Sequence, residues 1–259
     1  MNEIRKAGIT FIMNKTGKKS YRTGTSGWNY RHWRGILYPE GVGAKKWFSY
    51  YASEFDTVEV NYSFYRWPTR ETLERWYTEA PDTFLFTLKA PGTITHRRRL
   101  RECDRLVRDF YALTSILQEK RGAHLFQLPP QFRPTPENTE RLAGFIQLLD
   151  PELENVIEFR HPEWWQESTY QLLARHGITF CIVHGLDLPP DPVITSKIAY
   201  FRFHGTNYSS RYTETELSRF ANTMQELPVD KVYAYFNNDA QGYAVMNARE
   251  LKKALGEEG

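Results

Sequence analysis

The hydrophobic positions of this chain fall into short runs, and most of the runs end in charge. Residues 155–159 are one example: Val156, Ile157 and Phe159 are apolar, Glu158 and Arg160 are charged, and His161-Pro162 closes the run. Apolar runs of this length, rich in β-branched and aromatic residues, predict strands. Proline ends some of them because its ring fixes φ and it lacks the N–H donor that the ladder needs. The same pattern predicts strands at 21–26, 57–65, 84–90, 123–128, 179–183, 199–203 and 231–236. Alternation within 57–65 puts Glu59, Asn61 and Ser63 on one face and Val58, Val60, Tyr62 and Phe64 on the other.

Between the strands the spacing changes to that of helices. Leu106, Phe110, Leu113 and Leu117 mark a helix over 102–118. Others are predicted at 46–55, at 69–80 with Thr69 as N-cap, at 137–149, at 170–176 ending on Gly177, at 213–227 and at 244–255. Eight strands, nearly all followed by a helix, favour an α/β fold with a single (β/α)8 TIM barrel over an open sheet. The sixth unit is irregular: residues 185–197 hold three prolines and no helical spacing. No linker long enough to separate a second domain interrupts 21–259. Residues 1–20 read as a basic, flexible leader, with a basic arm for a polyanion as the alternative.

Composition narrows the class only modestly. The 259 residues are 41% hydrophobic and 25% charged, as in a globular protein. A net charge of +3 permits an anionic partner without requiring one. No apolar run approaches the roughly 18–20 residues of a membrane span, and no signal core opens the chain, so no membrane partner and a cytoplasmic location are expected. Cys103 and Cys181 stand in no metal or redox spacing and are expected as free thiols.

Several stretches resemble the DUF72, or YecE-like, family. They are GTSGWNY at 24–30, TVEVNYSFYRWP at 57–68, FLFTLKAPGTITH at 84–96, LFQLPPQF at 125–132, EFRHPEWW at 158–165, FRFHG at 201–205 and VYAYFNNDAQGYAVMNA at 232–248. The resemblance runs from about residue 21 to 255. It implies a TIM barrel and no activity, since the family is one of unknown function. It leads one to expect an acidic residue where His184 stands, and it does not extend to residues 1–20.

In a TIM barrel the chemistry sits at the C-terminal ends of the strands. Those ends supply Glu59, Glu158 and His204 as candidate catalytic groups. Candidate substrate-binding residues are Trp28, Tyr30, Asn61, Tyr65, Lys89, Gln127, Arg160, His161, Arg202, Asn237, Asn238 and Asp239. The leading expectation is an enzyme, a phosphoester hydrolase, acting on an anionic small molecule or a nucleic acid. Lys89, Arg160 and Arg202 would clamp phosphate oxygens, Glu59 or Glu158 would serve as base, and the aromatics would stack on bases or sugars. A second expectation is a non-catalytic nucleic-acid-binding barrel that uses Arg97, Arg98, Arg99 and the leader. A third is a sugar hydrolase or isomerase. It would work through a Glu59–Glu158 pair, or through a divalent metal on Glu59, Glu158, His161, His204 and Asp239. The same charges can equally be read as a buried ionic network that satisfies the barrel interior. Trp33, Trp47, Trp76 and Trp165 are expected to pack rather than stack on a ligand, and His124 and His176 to be structural.

Overall fold

The computed structural model describes residues 5–6, 19–189 and 191–257. Eight parallel strands form the central sheet: β1 (Ser20–Thr25), β2 (Thr57–Val60), β3 (Leu85–Lys89), β4 (Arg121–Gln127), β5 (Asn155–Glu158), β6 (Thr179–Gly185), β7 (Ile198–Gly205) and β8 (Lys231–Phe236). Their spatial order is β1-β8-β7-β6-β5-β4-β3-β2, so each strand lies beside its sequence neighbours. β1 and β2 are the two ends of that sheet and meet through a bridge between Ser26 and Glu59. The barrel is therefore nearly closed.

The seam between β1 and β2 depends on close backbone approach. A Cβ built on Gly24 would lie 2.4 Å from the Thr57 carbonyl oxygen. Tyr51 completes the seam: its hydroxyl donates to Thr57 O at 2.9 Å and accepts from Thr25 N at 3.0 Å. Gly24→Val is expected to destabilise the protein by about 1–3 kcal/mol through overpacking. Urea denaturation checks this, and wild-type stability would mean that the seam opens without cost.

Around the sheet lie α1 (Trp47–Glu54), α2 (Arg70–Glu79), α3 (Asp104–Thr114), α4 (Pro136–Ile146), α5 (Glu167–Arg175), α6 (Glu214–Glu226) and α7 (Tyr243–Leu255). Thr69, Thr135 and Thr213 cap α2, α4 and α6 by accepting from the backbone N–H three residues on. The main apolar core lies between helices and sheet, where Trp76 and Phe48 stack on Phe86.

The barrel interior is a second, mixed core. Apolar Leu125, Val156 and Val183 share it with Tyr200, Tyr233 and Tyr235. At the N-terminal end Glu154 accepts from Lys231 Nζ at 2.7 Å and from Tyr233 OH at 2.6 Å. Higher up, Tyr235 OH lies 2.7 Å from Thr57 Oγ1 and 2.8 Å from Thr87 Oγ1. The polar interior expected from Glu59 is thus a set of paired groups.

Two expectations about the elements change. The second strand stops at Val60, and Tyr62–Tyr65 is a single helical turn, because Asn61 already has helical φ and ψ. Ser63 Oγ fixes that turn by donating to Val60 O and Lys89 O. Asn61 and Ser63 therefore do not extend the Glu59 face. The helix expected over 102–118 is α3 followed by the tighter turns Ser115–Lys120. As expected, no helix joins β6 to β7 among the described residues; a two-residue strand, Val193–Ile194, lies there and pairs with Arg5–Lys6. Apart from those two residues and Lys19 and Ser20, the leader expectation lies outside the described residues. Lys19 is not loose: its ammonium donates to Met224, Gln225 and Leu227 carbonyls at the end of α6.

Candidate functional site

Strand alternation brings four of the candidate side chains to the top of the barrel. Glu59 stands near the end of β2, Lys89 and Glu158 end β3 and β5, and Arg202 lies two residues after Tyr200 on the inner face of β7. Arg202 is 1% exposed and donates through three nitrogens. Nε and Nη2 reach Glu59 at 2.9 and 2.6 Å, and Nη1 reaches Glu158 Oε2 at 2.6 Å. Glu59 also accepts from Ser26 Oγ at 2.7 Å and Tyr200 OH at 2.6 Å. Each of its oxygens then holds two hydrogen bonds, which fills its acceptor capacity.

Arg160, just past β5, closes the network by donating Nε to Glu158 Oε1. Burial alone would raise the Glu158 carboxyl, but the Arg160 and Arg202 guanidinium groups override it and hold the group far below the usual carboxylate range. A carboxyl whose folded pKa is depressed stabilises the fold above its unfolded value, near 4.3, and loses that contribution as pH falls through the folded value. Stability is therefore expected to drop steeply below about pH 4, and less steeply in Glu158→Gln. Denaturation midpoints across pH 2–7 measure the two slopes; equal slopes would contradict the ionised pair.

Two cations remain at the rim. Arg160 Nη1 donates to Tyr208 OH at 3.0 Å, and Nη2 lies 3.4 Å from His204 Nε2. Tyr208 is 40% exposed and sits in a turn where it and Asn207 both have positive φ, a strained setting for non-glycine residues. Lys89 is partly exposed, and its Nζ rests 4.4 Å from the centroid of the Phe64 ring. Among the described residues none accepts a hydrogen bond from it. Burial, followed by the Arg202 and Arg160 charges against those of Glu158 and Glu59, lowers the Lys89 ammonium to about 8.

His204 and His96 complete the rim. His204 is buried, with Nδ1 3.2 Å from Asn237 Nδ2, and burial with the neighbouring Arg202 keeps it neutral. His96 stands edge-on to Phe64 at 4.8 Å, and burial, then Lys89, lowers it.

The aromatic candidates gather beside this network rather than over it. Trp28, Tyr30, Asn61 and Tyr65 line a cavity of about 790 Å³ together with Lys45 and Arg75. Asn61 Oδ1 is buried there without a hydrogen-bond partner, and Tyr65 is 84% exposed. Trp28 is wedged edge-on between Phe48 and Trp76, so one side of it is packing.

Other candidates are used structurally. Arg202 is buried and donates to two carboxylates, so its guanidinium is engaged in the network. His161 Nδ1 accepts from Glu163 N and caps the turn Pro162–Trp164. Asn238 donates to Ser210 O and Asn247 Oδ1, and Asp239 accepts from Trp33 Nε1 and pairs with His32. Gln127 Nε2 donates to Leu128 O at the edge of the mouth. His184 packs on Phe220 and meets Tyr212 OH, away from the network. Trp33, Trp47 and Trp76 are buried as expected, and burial lowers the core residue His124 to about 3. Cys103 and Cys181 are free and buried.

These positions weigh against two of the chemistries. Among the described residues no three His, Cys, Asp or Glu side chains are grouped to hold a metal ion. A glycosidase pair needs one carboxyl kept protonated, whereas Glu158 is held ionised and Glu59 is saturated by donors. Ser26, His96, Tyr200 and Tyr208 are not among the residues that sequence reasoning singles out. Period-two reading of 200–204 would place Tyr200 with Arg202 and His204; nothing in the sequence marks Tyr208.

The family model described as "Protein of unknown function DUF72" matches residues 22–259. A solved DUF72 family protein from Thermotoga maritima superposes with a TM-score of 0.85 at 31% identity, covering 92% of this chain and 99% of that one. The UPF0759 protein YecE of Escherichia coli K12 is 34% identical over 147 residues, 57% of this chain and 53% of YecE, so the match spans about half of that relative. The UPF0759 protein YunF of Bacillus subtilis is 27% identical over 90% of this chain and 93% of its own length. Among the described residues no helix is long and apolar enough to cross a membrane.

Proposed function

The chain belongs to the DUF72 family, and from that premise we propose that its barrel mouth binds and acts on a small phosphate-bearing substrate. The observation that carries this reading is charge balance. Glu59 and Glu158 are neutralised by Arg202 and Arg160, which leaves Lys89 as an additional cation with no hydrogen-bond acceptor among the described residues. A phosphate oxygen supplies the acceptor that Lys89 lacks, and it can displace Tyr208 from the outer edge of Arg160. The neighbouring cavity takes the uncharged portion of the substrate, with Asn61 Oδ1 accepting from a polar group on it. His204, neutral and beside Arg160, is the proton acceptor for a hydrolytic step. Glu59, Glu158 and Arg202 are positioning residues that hold Arg160 in place.

Calorimetric titration with inorganic phosphate and pyrophosphate tests the reading. Saturable one-to-one binding is expected, with a stabilisation of about 2.7 kcal/mol at a hundred times Kd. Absence of binding at millimolar ligand would overturn it. The exposed rim residues Arg97, Arg98 and Arg99 favour a second reading, sequence-indifferent nucleic-acid binding. That reading requires affinity for single-stranded DNA to fall steeply with salt, with a log–log slope of about −0.7 per phosphate contacted.

A further inference from the structure

We propose that Lys89 is a nucleophilic amine that forms a Schiff base with an aldehyde or ketone carrying an anionic group; this rests on the anion-binding reading of the same mouth. Other lysines of the chain are held by hydrogen-bond acceptors. Lys120 Nζ donates to Tyr77 O at 2.8 Å and Ala80 O at 2.7 Å. Lys231 reaches Glu154 at 2.7 Å, and Lys19 caps a helix with three carbonyls. Each of these ammonium groups has acceptors, as a partly buried charge requires. Lys89 has an aromatic face.

Among the described residues, the carboxylates near Lys89 are bonded to other donors. From β2, Glu59 is saturated by Ser26, Tyr200 and Arg202. From β5, Glu158 is held by Arg202 and by Arg160. From β7 come the Arg202 charge and neutral His204, and from the turn after β3 comes His96. Burial first, and then the Arg202 charge, push this lysine toward its neutral form. With its ammonium lowered to about 8, the neutral amine at pH 7 is more abundant than in an ordinary lysine by about 300-fold.

The chemistry balances without an added oxidant or reductant. Unprotonated Nζ attacks the carbonyl carbon and a C–N bond forms. The C=O π pair moves to oxygen, which takes up a proton while Nζ gives one up. The resulting carbinolamine expels water, so amine and carbonyl become imine and water. Protonated, that imine is an electron sink for breaking a C–H or C–C bond at the adjacent carbon. Neutral His204 and His96 are the groups at hand to move protons, and Arg160 takes the substrate's anionic group.

The full chain is to be incubated at pH 7 with pyridoxal 5′-phosphate as probe, reduced with borohydride and mapped by peptide mass spectrometry. The expected result is saturable labelling at Lys89, faster as pH rises through about 8. Excess pyrophosphate is expected to slow it at least tenfold. Lys89→Arg, checked for a native circular dichroism spectrum, loses that adduct and keeps only background. Labelling spread over surface lysines with no preference for Lys89 overturns the proposal. If pyrophosphate binds by calorimetry yet Lys89 gives no adduct, the nucleophile fails and the anion site stands. If Lys89 is labelled preferentially and pyrophosphate gives neither binding nor protection, the nucleophile stands and the anion reading fails.

Discussion

Arg202→Met is expected to destabilise the fold by about 3–5 kcal/mol, the cost of leaving a buried charge without its partner. The substitution removes three hydrogen bonds and leaves Glu59 and Glu158 buried without the guanidinium they share. Ser26 and Tyr200 still donate to Glu59, and Arg160 to Glu158, but among the described residues no cation is then hydrogen-bonded to Glu59. Urea denaturation at pH 7 measures the deficit. Adding Glu59→Gln and Glu158→Gln should recover some of it at pH 7, since removing a whole buried network costs far less than breaking it. A deficit under about 1 kcal/mol would contradict the ionised network.

Arg160→Ala is expected to act mainly on ligand. A hydrogen bond to a charged group is worth about 1.5–3 kcal/mol, so pyrophosphate affinity should fall roughly 10–100-fold. Stability should suffer less than in Arg202→Met, because Glu158 keeps its bond to Arg202 Nη1 and Arg160 already lies at the rim. Calorimetry and urea denaturation on the same preparations separate the two effects. Equal losses of stability and affinity would make Arg160 a structural residue only.

The barrel is legible in sequence because its signals are local. Short apolar runs closed by proline, and threonines at helix starts, report on a few neighbouring residues each. The charges of the site are legible for the same reason, since alternation from Val58 or Tyr200 places Glu59 and Arg202 inward. What each charge does is not. Whether Arg202 clamps a ligand or binds Glu59 and Glu158 depends on residues 143 and 44 positions away, and no local pattern carries that separation. Asp239 resembles a ligand group because it ends a strand in NND; its actual partners, Trp33 and His32, come from the far end of the chain. Alternation continues through Tyr65 and makes the second strand look longer than it is, whereas Ser63, bonded to Lys89 O on the next strand, holds a helical turn. The free state of Lys89 is the feature least visible in sequence, since it follows from the neighbouring carboxylates being engaged elsewhere.

The most direct test of an anion site at the mouth is titration of pyrophosphate at fixed ionic strength into the wild-type chain and into Arg97→Ser/Arg98→Ser/Arg99→Ser. If Lys89 and Arg160 hold the anion, both proteins bind one equivalent with affinities within about twofold, because exposed rim charges add little at short range. No saturable binding to the wild type, or binding lost with the three rim arginines, would contradict the account and place any affinity for phosphate on the outer surface.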